Sequence, residues 1–472
     1  MKKDSIILGA LLVSASFPSW VAQANEPPAT PTQEQSAATS TGSTAAVPFA
    51  FADFSWAPGN YAPAETPMAT KYFVPELRVD TSYHYEFSKP IDNTISGSSE
   101  VFRANEFQLT QIGVGGDFNY NNVQFRLMTQ FGMYSETTPR NDASPARGQW
   151  NLADAYRYIS EAYAGYHIDV MNGINIQAGI FMSYVGLWSY YNFDNWTYQP
   201  SYVSSNTPWF FNGMRVQIFP SDKLKIEPWI INGWQAYGEF NHQPGLGLQV
   251  LYRPTGYLSV LGNQYYGADD SGLPDRRRWH TDDSIMAKYY DHQGVSGLSQ
   301  AAASFTFDAG CDTGSSGPNS NGLAQTTGLP NATCANNSFL GIMAYNRLWF
   351  NQNHYGLTIG GGAIRNPGRY LVLLPPIDGA TASTGSAYFS ENPGDSFVAW
   401  DTQVTADYMP NRNITFRLEF THRQANVPYF SGSGGVTPYG GNDGTPDTYK
   451  SSFHPDLSNS ENRLTAAMMI RL

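Results

Sequence analysis

Charge is scarce in this 472-residue chain: Asp, Glu, Lys and Arg together make up 14% of it, well under the roughly 25% of an ordinary soluble domain. What charge there is leans acidic, with a formal net charge of −12 and a pI near 5.1, which argues against a nucleic-acid partner. Long apolar runs are missing beyond the N-terminal stretch, and mean hydropathy is −0.37. A membrane helix needs about 20 consecutive apolar residues, so helical spans are excluded downstream of that stretch. There are only two cysteines, Cys311 and Cys334, both in one Gly/Ser/Asn-rich segment. In an exported chain such a pair is expected to form a disulfide closing a surface loop. No motif points to a catalytic residue, a metal ligand or a cofactor.

Aromatic residues are as common as charged ones, at 14%, with 30 Tyr and 11 Trp. Lys2 and Lys3, the apolar run Ile6 to Val13 and the small-residue site Ala22-Gln23-Ala24 read as a signal peptide over 1–24. Its removal makes the chain one unit more acidic. Residues 25–70 are expected to be a disordered segment. Their first half is Ala, Thr, Pro, Ser and Gln, which cannot bury a core. Phe49 to Tyr61 (FAFADFSWAPGNY) is more aromatic, and the barrel mouth is one place it could pack.

From residue 71 the pattern changes. Between Phe211 and Trp234, Met214, Val216 and Ile218 alternate with Arg215 and Gln217. After a turn at Pro220-Ser221-Asp222, Leu224, Ile226 and Ile230 alternate with Lys225 and Glu227. Side chains of a strand point to opposite faces with a period of two, so this is a hairpin with one apolar and one polar face. The unit recurs to the last residue, giving about sixteen strands. Short turns such as Asn119-Tyr120-Asn121 and Asn351-Gln352-Asn353 alternate with long segments. Loops sorted by length, apolar-out and polar-in strands and an even strand count predict an all-β, transmembrane, antiparallel up-and-down β-barrel over 71–472. In lipid every backbone group needs a partner, so the sheet has to close. Pro228 inside a strand fits less smoothly and predicts a bulge. Leu472 ends a strand that many outer-membrane barrels end with Phe.

Several segments resemble a known family. DFSWAPGN (53–60), KYFVPELRVDTSYHY (71–85), YISEAYAGYHID (158–169), NTPWFFNGMRVQIFP (206–220), IINGWQAYG (230–238) and NPGRYLVLLPP (366–376) are similar to the OmpL-like β-barrel porins of Gram-negative outer membranes. The similarity runs from about Asp53 to Leu472. It implies a diffusion channel in the outer membrane, without naming a solute.

Barrel size points the same way, since sixteen strands leave an aqueous channel. The inward-facing polar residues expected to line it in contact with water are Arg78, Asp80, Arg126, Arg215, Gln217, Lys225, Glu227, Arg347, Asp401, Asp407, Arg417 and Glu419. The third external loop, Tyr184 to Trp209, carries Trp188, Tyr190, Tyr191, Phe193, Trp196 and Tyr198. So much aromatic surface is not left in water. The loop either folds inward as a constriction, lies in the membrane interface or meets another subunit. Expected partners are outer-membrane lipid, small hydrophilic solutes, the outer-membrane assembly machinery and two further copies in a homotrimer. Two other functions remain open. An adhesin or receptor would act through its loops, with Arg276-Arg277-Arg278 and the Gly-rich loop after Asn426 as material. An outer-membrane hydrolase would draw on His280 and Asp282, His84 or His422.

Overall fold

The structure, a computed structural model, describes residues 47–60, 66–98, 100–142, 144, 149–269, 273–315, 331–367, 370, 397–437 and 456–472. The expected signal peptide and the first part of the expected disordered segment lie outside the described residues.

Sixteen strands make the wall. They are β1 (Phe73–Glu86), β2 (Phe107–Tyr120), β3 (Val123–Thr129), β4 (Ile159–Ile168), β5 (Ile174–Met182), β6 (Phe210–Ser221), β7 (Leu224–Ile231) and β8 (Gly245–Thr255), followed by β9 (Leu258–Gly267), β10 (Arg277–Asp291), β11 (Leu298–Ser315), β12 (Ser338–Phe350), β13 (Tyr355–Arg365), β14 (Val398–Asn411), β15 (Ile414–Ala425) and β16 (Ser460–Arg471). Each is antiparallel to its sequence neighbour, and β1 also pairs with β16, from Arg78↔Arg471 to Glu86↔Arg463. That pairing closes the sheet. The connections that follow the even-numbered strands are tight. Asn121 and Asn122 turn β2 into β3 with φ of 49° and 64°, the left-handed values that match the twist of a hairpin.

Parity along the strands sorts the side chains. On β15, Phe416, Leu418 and Phe420 are exposed, while Arg417, Glu419, Thr421 and Arg423 are buried. With no bilayer around the chain, the exposed apolar face is the lipid-facing one. The wall is therefore the up-and-down barrel that the alternation predicts.

Pro228 corrects one expectation, because no bulge forms there. The β6–β7 register is constant from Gly213↔Ile231 through Met214↔Ile230 and Arg215↔Trp229 to Ile218↔Ile226, and the ladder omits Val216 opposite Pro228 and Gln217 opposite Glu227. Pro228 sits opposite Leu248 on the other side. A proline has no N–H to donate, so the wall loses a rung without changing step. Across the gap, Gln217 Nε2 donates to Glu227 Oε2 at 2.7 Å. In the sixth loop, Cys311 and Cys334 are joined by a disulfide with a Cα–Cα distance of 5.0 Å.

Two predictions follow from the wall. Leu418→Arg puts a charge into lipid at a cost of about 2–4 kcal/mol, and should reduce the heat-modifiable folded band on a gel. Gln217→Arg, facing inward beside Glu227, should leave that band intact; equal loss in both variants would contradict the face assignment. The mature protein should also gain about 2 Da on reduction, as hydrogens add to one disulfide, and alkylation without reductant should label neither cysteine.

Candidate functional site

A loop inside a barrel has no neighbouring strand to satisfy its backbone, and buried N–H and C=O groups without partners are costly. The third loop, 183–209, meets this demand with side chains of the wall. Its backbone N–H groups at Tyr198 and Gln199 donate to the two carboxylate oxygens of Glu419, at 2.6 and 2.9 Å. Tyr202 N and Ser201 Oγ both donate to Asp401 Oδ2, at 2.7 and 2.9 Å. The Arg417 guanidinium donates to the carbonyls of Asn192, Asn195 and Thr197, at 3.2, 2.7 and 2.8 Å. Arg347 donates to Trp196 O at 3.1 Å. Asp80 accepts from Asn192 Nδ2 and Tyr198 Oη. Asp194 of the loop pairs with Arg78 at 2.9 Å and with Arg471.

The rings follow the backbone inward. Trp188, Tyr190, Tyr191, Trp196 and Tyr198 are all buried, and Phe193 is half-buried beneath Arg471. Trp188 packs on Tyr345 and Trp196 on Trp349, with centroids 4.8 and 5.8 Å apart. Tyr190 Oη donates to Gln130 and Tyr191 Oη to Glu161. Burial pushes the phenols of Tyr190, Tyr191, Tyr198 and Tyr202 well above their ordinary range, so they remain neutral donors.

This changes the reading of the wall. Arg78, Asp80, Arg126, Glu227, Arg347, Asp401, Asp407, Arg417 and Glu419 face inward as the alternation implies, but all are buried rather than in contact with water. Only Arg215, Gln217 and Lys225 keep intermediate exposure. The reason is geometric: the same charges are needed to bond the inserted loop. Asp407 illustrates it. It takes Arg417 in a two-point contact at 2.7 and 3.0 Å and Arg347 at 2.7 Å, and both guanidiniums reach on to loop carbonyls. Arg126 instead joins Glu76, Asp117 and Glu161 at 2.8–3.0 Å.

A second insert comes from the stretch expected to be disordered. Residues 49–60 pack against the lumen wall near the short turns, with Phe54, Trp56 and Ala57 buried. Phe49 N donates to Asp222 O, and Trp56 Nε1 to Gly256 O. The two inserts also meet. Trp196 Nε1 donates to Trp56 O at 3.0 Å and Gly59 N to Asp194 O at 3.0 Å. At Gly59 (φ +70°) an added Cβ would lie 2.2 Å from Leu187 O, so only glycine fits this crossing. Aromatic content marks this stretch off from the Ala/Thr/Pro/Ser residues before it.

The histidines do not assemble a hydrolytic site. His280 and Asp282 lie on β10 with side chains fully buried, and His280 Nε2 is 2.6 Å from Asp308 Oδ1. No serine hydroxyl bonds to His280 among the described residues. Sequence reasoning missed a Ser/His contact elsewhere: Ser82 Oγ is 3.0 Å from His84 Nε2. There Nδ1 meets Thr465 Oγ1 rather than a carboxylate, and Tyr198 covers the ring at 5.4 Å. His422 sits on the outer face against Trp400 and Asn462.

A closed wall of sixteen strands, apolar outside and charged inside, with an external loop folded into its lumen, defines a porin-type outer-membrane barrel. The chain belongs to the family described as "Putative beta-barrel porin-2, OmpL-like", whose model matches residues 76–471. It is an outer-membrane porin of a Gram-negative bacterium, a channel for small solutes. Among solved structures it is similar to an anion-selective porin from Comamonas acidovorans (9% identity, 85% of this chain and 99% of that one, TM-score 0.48). OprB of Pseudomonas putida is also similar (10% identity, 84% and 93% covered, TM-score 0.46), as is OmpT of Vibrio cholerae (10% identity, 85% and 99% covered, TM-score 0.45). No curated protein sequence matches the chain.

Glu419→Ala removes the acceptor for two loop N–H groups, at about 1–3 kcal/mol for each orphaned group. The assembled variant should be cut by chymotrypsin within 188–202 under conditions where the parent is resistant. Equal resistance would mean the loop is held by other contacts.

Proposed function

We propose that the third loop sets the narrowest section of a passive diffusion channel for small hydrophilic solutes, and that the protein acts by permeation without catalysis. The observation that carries this reading is the binding of the loop's backbone by Glu419, Asp401 and Arg417. These contacts hold large rings across the lumen at fixed positions. A loop serving the membrane interface or a subunit contact would turn its rings outward. Hydrolysis draws no support from the histidines, since neither His84 nor His280 is open to a substrate. A receptor role through the arginine run draws none either, as Arg276 and Arg278 are buried.

The outward apolar band meets outer-membrane lipid, and the assembly machinery delivers the barrel there. Association into a homotrimer is supported by one outer patch. Between Trp279 and Tyr289, Gln264 Nε2 donates to Thr281 Oγ1 at 2.5 Å and Thr281 Oγ1 to Asp283 Oδ2 at 2.8 Å. A polar chain at that depth suits a protein neighbour better than lipid.

Deleting Tyr190 to Ser204 tests the constriction. Unitary conductance in planar bilayers should rise and larger solutes should pass. Heat-modifiable mobility should persist, because the wall's hydrogen bonds do not run through a loop. Unchanged conductance in a correctly assembled variant would reject the role.

A further inference from the structure

Where the two inserts meet they leave a cavity of ≈ 240 Å³, lined by Asn60 of the N-terminal segment, Tyr184, Trp188 and Trp209 of the third loop, and Gln249 and Arg253 of β8. Among the described residues Arg253 is the one charged residue on its wall, and no Asp or Glu lines it. Arg78, Arg126, Arg347, Arg417 and Arg471 pair with carboxylates; among the described residues Arg253 does not. Its Nε reaches Ser259 Oγ at 3.4 Å and one Nη2 hydrogen goes to Asn60 Oδ1 at 3.1 Å. Nη1 has no hydrogen-bond partner and no carboxylate pairs with the side chain among the described residues. Yet Arg253 is only 8% exposed, and a buried cation without a counter-charge is unfavourable.

Phe49 and Phe54 lie 5.1 and 4.2 Å from the guanidinium carbon. Such stacking uses the flat face of the group and leaves its in-plane donors free for a carboxylate. Trp188 Nε1 and Trp209 Nε1 are buried with no hydrogen-bond partner. Tyr184 Oη and Gln249 Nε2, by contrast, are committed to Gln264 O and Tyr184 O. The site thus offers one cation with its own spare in-plane donors and aromatic surface, with no acid to compete among the described residues.

We propose that this cavity binds a small organic monocarboxylate, its carboxylate on the edge of Arg253 and its apolar body against Trp188, Trp209 and Tyr184. A buried, charge-assisted contact of this kind gives orientation and the ring surface gives area. The inference rests on the channel reading above and names the class of solute that lingers in it.

The test uses the full mature protein and two probes of nearly equal size, benzoate and neutral benzamide. In planar bilayers, benzoate should block the chloride current at a concentration at least roughly tenfold below that needed for benzamide, the factor expected of one charge-assisted contact. Arg253→Gln should abolish this preference while keeping the unitary chloride steps. Isothermal titration of the detergent-solubilised protein should show the same preference without relying on conduction. Equal block and equal binding by the two probes in the parent protein would overturn the proposal, as would a preference that survives Arg253→Gln. If that variant fails to assemble, the comparison of probes on the parent still decides. Absence of any unitary steps from the parent would instead fail the channel reading, and the titration would then judge the site alone.

Discussion

The lumen of this barrel depends on charge meeting backbone. A strand finds its hydrogen bonds in its neighbours, whereas a loop lying across a barrel has none. Glu419, Asp401 and Arg417 supply them, and charged partners make such bonds short and strong. The arrangement also resolves a second difficulty. Charges facing one another in a narrow space would repel or need water. By reaching loop amides and carbonyls as well as each other, they are neutralised in place. Removing the wall charges leaves the loop's amides and carbonyls unpaired at the cost of burial, whereas removing the loop returns the charges to water, so it is the loop that depends on the wall and not the wall on the loop.

The wall was legible because periodicity and loop length are local properties. A period of two, repeated between short turns and long loops, leaves little choice of fold in a chain with so few charges. Parity also placed Arg417, Glu419 and Asp401 on the inner face. What fills the inside was not legible. The same alternation describes a charge in water and a charge bonded to a loop, and the difference lies in contacts made across 220 residues, as between Glu419 and Gln199. The ring-rich composition of 184–209 left three placements open for the same reason. Pro228 shows the limit in the other direction. Chemistry required a missing hydrogen bond there, but whether the chain answered with a bulge or an empty rung depended on how the flanking pairs of β6 and β7 held their register.

The N-terminal segment was split by composition more finely than by the boundary drawn at residue 70. Phe49, Phe54 and Trp56 bring apolar surface that works against the entropy of ordering, and Arg253 and Lys288 cover their rings. Gly59 is the one position in the segment whose identity is dictated by a neighbour rather than by its own conformation alone.

That crossing has a mechanical meaning. The third loop hangs from the outer rim of the barrel, and residues 49–60 lean in near the turns at the opposite rim. They touch through Trp196 and Trp56 and through Asp194 and Gly59. A displacement of either insert therefore bears on the other through these two hydrogen bonds, and what holds the loop in place includes a segment that enters from the opposite side.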